Sequence, residues 1–482
     1  MIATHISPYS GSWYPPREEE LNALLDRCFE ESSRRTGPCV PRALGLVAPH
    51  AAPLYSGTVA AAAYRHLQLA GPERIFLLGF SHRDGPRGIA IPDVDAYRTP
   101  LGDAAVDRST VRALCADARF QLVDERQLCD HSVEIQLPFL RRAAPAAAVI
   151  PLYVGYLEEE ERRGAAEALA RAWHPGDVLL ASSDFTHYGR GFHYVPFPAD
   201  RQVAARLRGL DRRAIEGASG IDSALFLESL RECGATVCGS LPISLLLRTL
   251  SLLDGEDIFQ QELDYQTSGE ITGNFSESVS YAALGYFHRN SYELDPAERR
   301  ELLLSAQATL RHLRETGRRE PIAPASLPAL AMRAPVFVTL RDGERLIGCI
   351  GRLSHCPPLA EAVPQLTLAA ALDDPRRAPG DGIPENGEIE ISVLTPMKRV
   401  RGSEAIQIGR DGIYVECGVR QAVLLPQVAG PDWSAGKFLG VLLRKAGLDA
   451  RACGAPETRL SVFQAQVFGV GFTAATLAGT VL

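Results

Sequence analysis

The chain has 482 residues, enough for two or three domains with real cores, and a formal net charge of -8 with basic residues interspersed among acids, which excludes the electrostatic footprint of a nucleic-acid binder. The opening "MIATHISPYSGSWYPP" lacks the basic and apolar regions of a signal peptide, and the longest apolar stretch, "LPISLLL", is closed by Arg248, so no membrane span is expected. Ten cysteines without a CxxC pair do not form a disulfide pattern, and a reduced, cytoplasmic protein is the expectation.

In the first part of the chain, "ALGLVA" (43–48), "RIFLLG" (74–79), "AAVIPLYV" (147–154) and "DVLLAS" (177–182) have strand length and no polar alternation, as strands covered on both faces do. Helical stretches such as "TVAAAAYRHLQLA" and "EEEERRGAAEALARAW" lie between them. The pattern predicts an α/β domain with a largely parallel sheet. In such sheets ligands gather outside the carboxyl ends of the strands. There stand His50, two residues past the first run, His82, three past the second, and His187, five past the fourth in "ASSDFTHYG". One such histidine is an ordinary loop residue; three together, with the carboxylates Asp184 and Glu134, point to a site.

Further on, "GATVCGSLPISLLLRTL" places Cys238 just before a helix that Ser240 can cap and Pro242 can begin. A thiol near a helix N-terminus is biased toward thiolate, the form that binds metal or attacks electrophiles. The chain then divides near residue 290, where Asp295 can cap a helix with Pro296 in its first turn, giving domains 1–290 and 291–482. Nine of the eleven histidines precede that junction, so histidine chemistry belongs to the first domain. In the second, "PVFVTLRDGERLIGCIG" predicts a hairpin turning at Asp342-Gly343 and "EIEISVLTP" a further strand. "IQIGRDGIYVECGVRQAVLLPQV" predicts two more strands, and "DWSAGKFLGVLLRKAGL" a helix capped at Ser434. Strands in runs with flanking helices indicate a smaller α+β domain. Cys349, His355 and Cys356 lie close in sequence but lack an evident fourth ligand, and a structural role is expected for them.

Seven motifs, "SGSWYP", "APHA...YSG", "LLGFSH", "YRTPLGD", "DHSVEIQLPFL", "SSDFTHYG" and "VCGSLPI", occur in the order and approximate spacing of the Memo family, which residues 5–288 resemble. The resemblance implies a fold similar to the class III extradiol dioxygenases, which are non-haem iron enzymes. It further implies that His50, His82 and Cys238 occupy metal-ligand positions and His187 the acid/base position, with His131 and Asp184 lining the same pocket. Ala52 and Pro53 stand where the family has glycine and an aromatic, and Arg83 where it often has a second histidine. Residues 295–475 resemble the AMMECR family through "GCIG", "IEISVLTP" and "LLPQVA" followed by "FL...KAGL", with Ile347 where that family has arginine. The two families commonly accompany a radical SAM protein in bacterial genomes, so their fusion implies a shared pathway and a radical SAM partner.

Two imidazoles and a thiolate would cap one face of an ion, like the two-histidine, one-carboxylate set of non-haem iron oxygenases with a softer third ligand. Iron(II) or copper is expected, zinc less so, and His187, with an unperturbed pKa near about 6.5, could move a proton, oriented by Asp184. The leading expectation is a metal-dependent, oxygenase-like redox enzyme acting on a small metabolite-sized substrate. The alternatives are a metal-binding or peptide-binding module without catalysis, and a metal-independent hydrolase or transferase with Cys238 as nucleophile, His187 as base and Asp184 as orienter.

Overall fold

Strands form where the sequence runs apolar for five to seven residues, in a computed structural model that describes residues 3–39, 42–83, 85–354, 356–377, 386–455 and 457–473. The chain splits into two compact units, Met1–Ser291 and Tyr292–Leu482. Among the described residues the first unit holds a nine-stranded sheet. Its order is His187–Gly189, Glu277–His288, Ala43–Ala48, Val178–Ser182, Arg74–Gly79, Ala148–Val154, Ile89–Pro92 and Phe120–Val123, with Ile258–Thr267 paired to Glu277–His288. The middle four strands are parallel, as their unbroken apolar runs require. Glu277–His288 and Ile89–Pro92 join that centre antiparallel, so the sheet as a whole is mixed and its parallel part is the core. Glu277–His288 enters as the partner of Ile258–Thr267 and needs no crossover helix.

Helix Pro53–Ala70 starts with proline at its first turn and ends at Gly71 in the left-handed conformation; helix Glu159–Ala172 is opened by a capping box of Glu158 and Glu161. The departures at Ala52 and Pro53 are thus the N-cap and first residue of a helix, where proline's fixed φ is favourable. Helix Ser240–Asp254 packs on Val178–Ser182, Ala43–Ala48 and Arg74–Gly79, burying Leu246 and Leu250 completely. In the sheet register Ala48 is level with Ser182 and Leu78 with Ala181, so the chain leaves these three strands at one edge. A small separate sheet pairs Thr4–Ile6 with Ala96–Thr99, setting His5 opposite Tyr97.

The second unit is built on a seven-stranded sheet, wholly antiparallel among the described residues, an α+β arrangement. Helix Pro296–Thr316 opens with a capping box of Asp295 and Glu298, and Leu302, Ala306 and Leu310 on it pack with Val338, Ile391 and Leu366 in one core. A second core joins Phe438 and Leu442, from helix Ala435–Lys445 capped by Ser434, to Ile413 and Val415. The hairpin Val336–Asp342 with Arg345–Arg352 turns at Gly343-Glu344, one residue later than expected, because Asp342 still pairs with Arg345. Ile347 belongs to the first of these cores, so an apolar contact stands where the resemblance has an arginine. The Thr339 hydroxyl donates to Cys349 Sγ at 3.2 Å, Cys356 Sγ donates to Arg352 O at 3.7 Å, and His355 lies outside the described residues.

Candidate metal centre

The loops that leave the parallel strands bring His50, His82 and Cys238 together, one potential ligand atom from each lying within 4.8 Å of the others. Cys238 Sγ is 3.4 Å from His50 Nε2. His50 Nδ1 is 2.9 Å from Ser182 Oγ, which also accepts from Gln136 Nε2 at 2.8 Å; the Tyr64 hydroxyl donates in turn to Gln136 Oε1. His82 Nδ1 lies 2.8 Å from Asp130 Oδ1. With both Nδ1 atoms engaged by oxygen, each ring presents Nε2 as its free donor, the usual way a protein fixes the tautomer of a metal-binding histidine. Two imidazole nitrogens and a sulfur so placed fit a borderline or soft divalent ion. His50 is buried while the His82 side chain keeps 33% of its exposure, so the cluster has an open side.

The Memo-like protein family model matches residues 7–285, more than half of the chain. The chain belongs to the Memo family. The AMMECR1 model matches residues 303–468. Protein memo-1 homolog of Caenorhabditis elegans is 29% identical over 289 residues, covering 58% of this chain and 81% of that protein. Protein MEMO1 of Homo sapiens is 29% identical over 284 residues, covering 57% and 94%. A solved structure of an uncharacterized protein from Pyrococcus horikoshii is 31% identical, covers 35% of this chain and 89% of that one, and has a TM-score of 0.32.

Around the three ligand candidates, the Memo unit places the remaining expected residues unevenly. His131 stacks on His82 at 4.0 Å between ring centroids and is 5.4 Å from His50, inside the cluster. Burial lowers its pKa to about 4, with Asp130 opposing and the two neighbouring histidines reinforcing. Burial lowers His50 to about 3. Burial pushes Asp130 up, but the hydrogen bond from His82, the charge of His131 and the Ser132 amide outweigh it and hold the carboxyl at about 2. His187 opens the short edge strand His187–Gly189 instead of lying in a loop; its amide donates to Thr236 Oγ1 at 2.8 Å and its Nδ1 is 3.4 Å from Thr236 O.

Three expectations are corrected. Asp184 does not hydrogen-bond the His187 ring, with which it interacts through charge alone: its Oδ1 accepts from the His50 and Ala51 amides, at 2.9 and 3.4 Å, and so fixes the His50 loop. Ser240 is not a cap but the first helical residue; Gly239 is the N-cap, and its amide donates to Ser183 Oγ at 2.9 Å. Nor does the helix end bias Cys238 to thiolate, since burial and then the Asp184 charge push its thiol well up. The helix end is outweighed by the loss of water around sulfur. Glu134, in turn, is wholly buried and faces His5, away from the three ligand candidates.

Sequence reasoning assigned no role to Trp13, Tyr9 and Phe80. Trp13 lies 4.6 Å and Tyr9 5.8 Å from the His131 ring, and Phe80 packs at 4.3 Å on His82, so aromatic faces hold the imidazoles in place. The available signal was position: Trp13 stands inside "SGSWYP" and Phe80 two residues before His82. Gly239 is also required here, because a Cβ would come within 2.5 Å of Ser182 O and of Ser183 Cβ.

Proposed function

We propose that the Memo unit holds one redox-active divalent ion, iron(II) or copper, on His50, His82 and Cys238, and carries out oxygenase-like chemistry on a small metabolite-sized substrate. The observation that carries this reading is the convergence of two imidazoles, each secured through Nδ1, on one thiol at the carboxyl edge of the sheet. An ion of this kind supplies redox capacity and open coordination positions. The protein's own part is positioning. Asp130 and Ser182 set the ring orientations, Asp184 fixes the His50 loop, and Trp13 and His131 give the pocket an aromatic wall. His187, held by Thr236, is the group assigned to move a proton, while His131, against His82, and Asp184, on the His50 loop, line the pocket. Among the described residues no helix is long and apolar enough to cross a membrane. A radical SAM protein as pathway partner belongs to the same proposal, supported by the union of Memo and AMMECR1 regions in one chain.

A metal-independent Cys/His mechanism is less well supported: the imidazole beside Cys238 is that of His50, not His187. The test is oxygen consumption by anaerobically iron-loaded full-length protein offered candidate metabolites. His187→Ala should retain metal while turnover falls by about 10²–10⁴-fold, the usual contribution of general acid/base catalysis. Stoichiometric metal with no turnover on any candidate would favour a binding module, and metal-free protein with alkylation-sensitive turnover would favour the cysteine mechanism.

A further inference from the structure

A second group of metal-ligating side chains lies in the first unit, made by residues the proposed chemistry does not use. His5, from the strand Thr4–Ile6, meets Cys129, which ends the short helix Glu125–Leu128, and Glu134, the last residue of His131–Glu134. One ligand atom from each lies within 4.8 Å of the others, and all three residues are buried. His5 Nε2 is 3.2 Å from Glu134 Oε1, yet neither atom makes a hydrogen bond. Glu134 Oε2 has no hydrogen-bond partner either, and the Glu134 side chain is 0% exposed. A carboxylate with both oxygens dry and unbonded is costly unless something positive completes it. His5 and Glu134 stand at ion-pair distance, and the same 3.2 Å suits two ligands of one ion: tetrahedral ligands at about 2.0–2.1 Å from zinc are about 3.3 Å apart.

We infer that His5 Nε2, Cys129 Sγ and a Glu134 carboxylate oxygen form a buried structural site for a divalent cation of the zinc class. His5 Nδ1 lies 3.4 Å from Glu125 Oε2, so a second carboxylate stands at ion-pair distance behind the imidazole. The two negative ligands balance the ion's charge. The ion would tie the N-terminal strand to the segment that carries Asp130 and His131, and so brace the rim site from behind. The assignment does not depend on what the rim site binds.

The test uses the full chain, reduced, stripped with a chelator, equilibrated with zinc and desalted. The double variant His50→Ala, His82→Ala, which removes the rim imidazoles, should retain about one zinc per chain. Adding Cys129→Ser or Glu134→Gln should lower that at least about tenfold. Cobalt(II) in the double variant should give a thiolate charge-transfer band that Cys129→Ser abolishes, a readout that needs no activity. Zinc-free double variant, or zinc content unchanged by both added substitutions, overturns the assignment. Loss of the rim ion alone leaves it standing, so the two sites fail separately.

Discussion

In the first unit the parallel strands Ala43–Ala48, Arg74–Gly79 and Val178–Ser182 deliver their following loops to one edge, whereas in the second unit antiparallel neighbours send successive loops to opposite edges. All the groups of converging His, Cys, Asp and Glu side chains found among the described residues lie in the first unit. The second unit carries Cys349 on the edge strand Arg345–Arg352, where Thr339 bonds its sulfur and the Asp374–Arg376 pair holds its backbone, and among the described residues no ligand group forms around it. Two of those groups, His50–His82–Cys238 and His82–Asp130–His131, gather at the carboxyl rim of the parallel strands, while the antiparallel sheet spreads its loops and buries its apolar faces.

The sharpest way to break this comparison is to separate the units. Cut near Ser291, the first fragment should keep all bound metal and the second none, measured by elemental analysis of each; metal on the second fragment would end the contrast. Core truncation comes next. Leu246→Ala in the first unit and Leu310→Ala in the second, both fully buried, should each cost about 2–5 kcal/mol in denaturant unfolding of the affected unit. Only the former should lower the temperature at which metal is released. Asp130→Ala removes the carboxylate behind His82 and should weaken metal binding by about 10–100-fold in competition with a chelating dye. The smallest effect is that of the helix cap in the second unit: Asp295→Ala should cost about 1 kcal/mol there and leave metal affinity unchanged.

Much of the architecture is written in the chain because the central strands are covered on both faces. "ALGLVA" and "RIFLLG" coincide with strands Ala43–Ala48 and Arg74–Gly79, and the caps at Asp295 and Ser434 act as their residue types suggest. The antiparallel flank Ile258–Thr267 was harder to read, since most of that strand is only half-buried and carries Gln, Glu and Asp among its apolar residues. At the rim, distance along the chain from a strand end locates a histidine but not the contacts of its ring. Asp184 and His187 are three residues apart, yet the carboxylate turns to the His50 loop and the imidazole to Thr236, a residue of another segment. Glu134 shows the same limit in depth: one short segment, 130–134, sends Asp130 to the rim and Glu134 into a buried pocket. The Cys238 thiol fails the helix-end rule because desolvation, invisible in a single sequence, exceeds the dipole's effect.

The most direct test of the central claim compares two substitutions in the Cys129→Ser background, where the rim site alone is left to count. After anaerobic loading with iron(II) and desalting, His187→Ala should hold as much iron as its parent, and Cys238→Ser should hold at least about tenfold less, since a hydroxyl is a poor replacement for a thiolate. Iron kept by Cys238→Ser and lost by His187→Ala would contradict the account and move the centre onto three histidines.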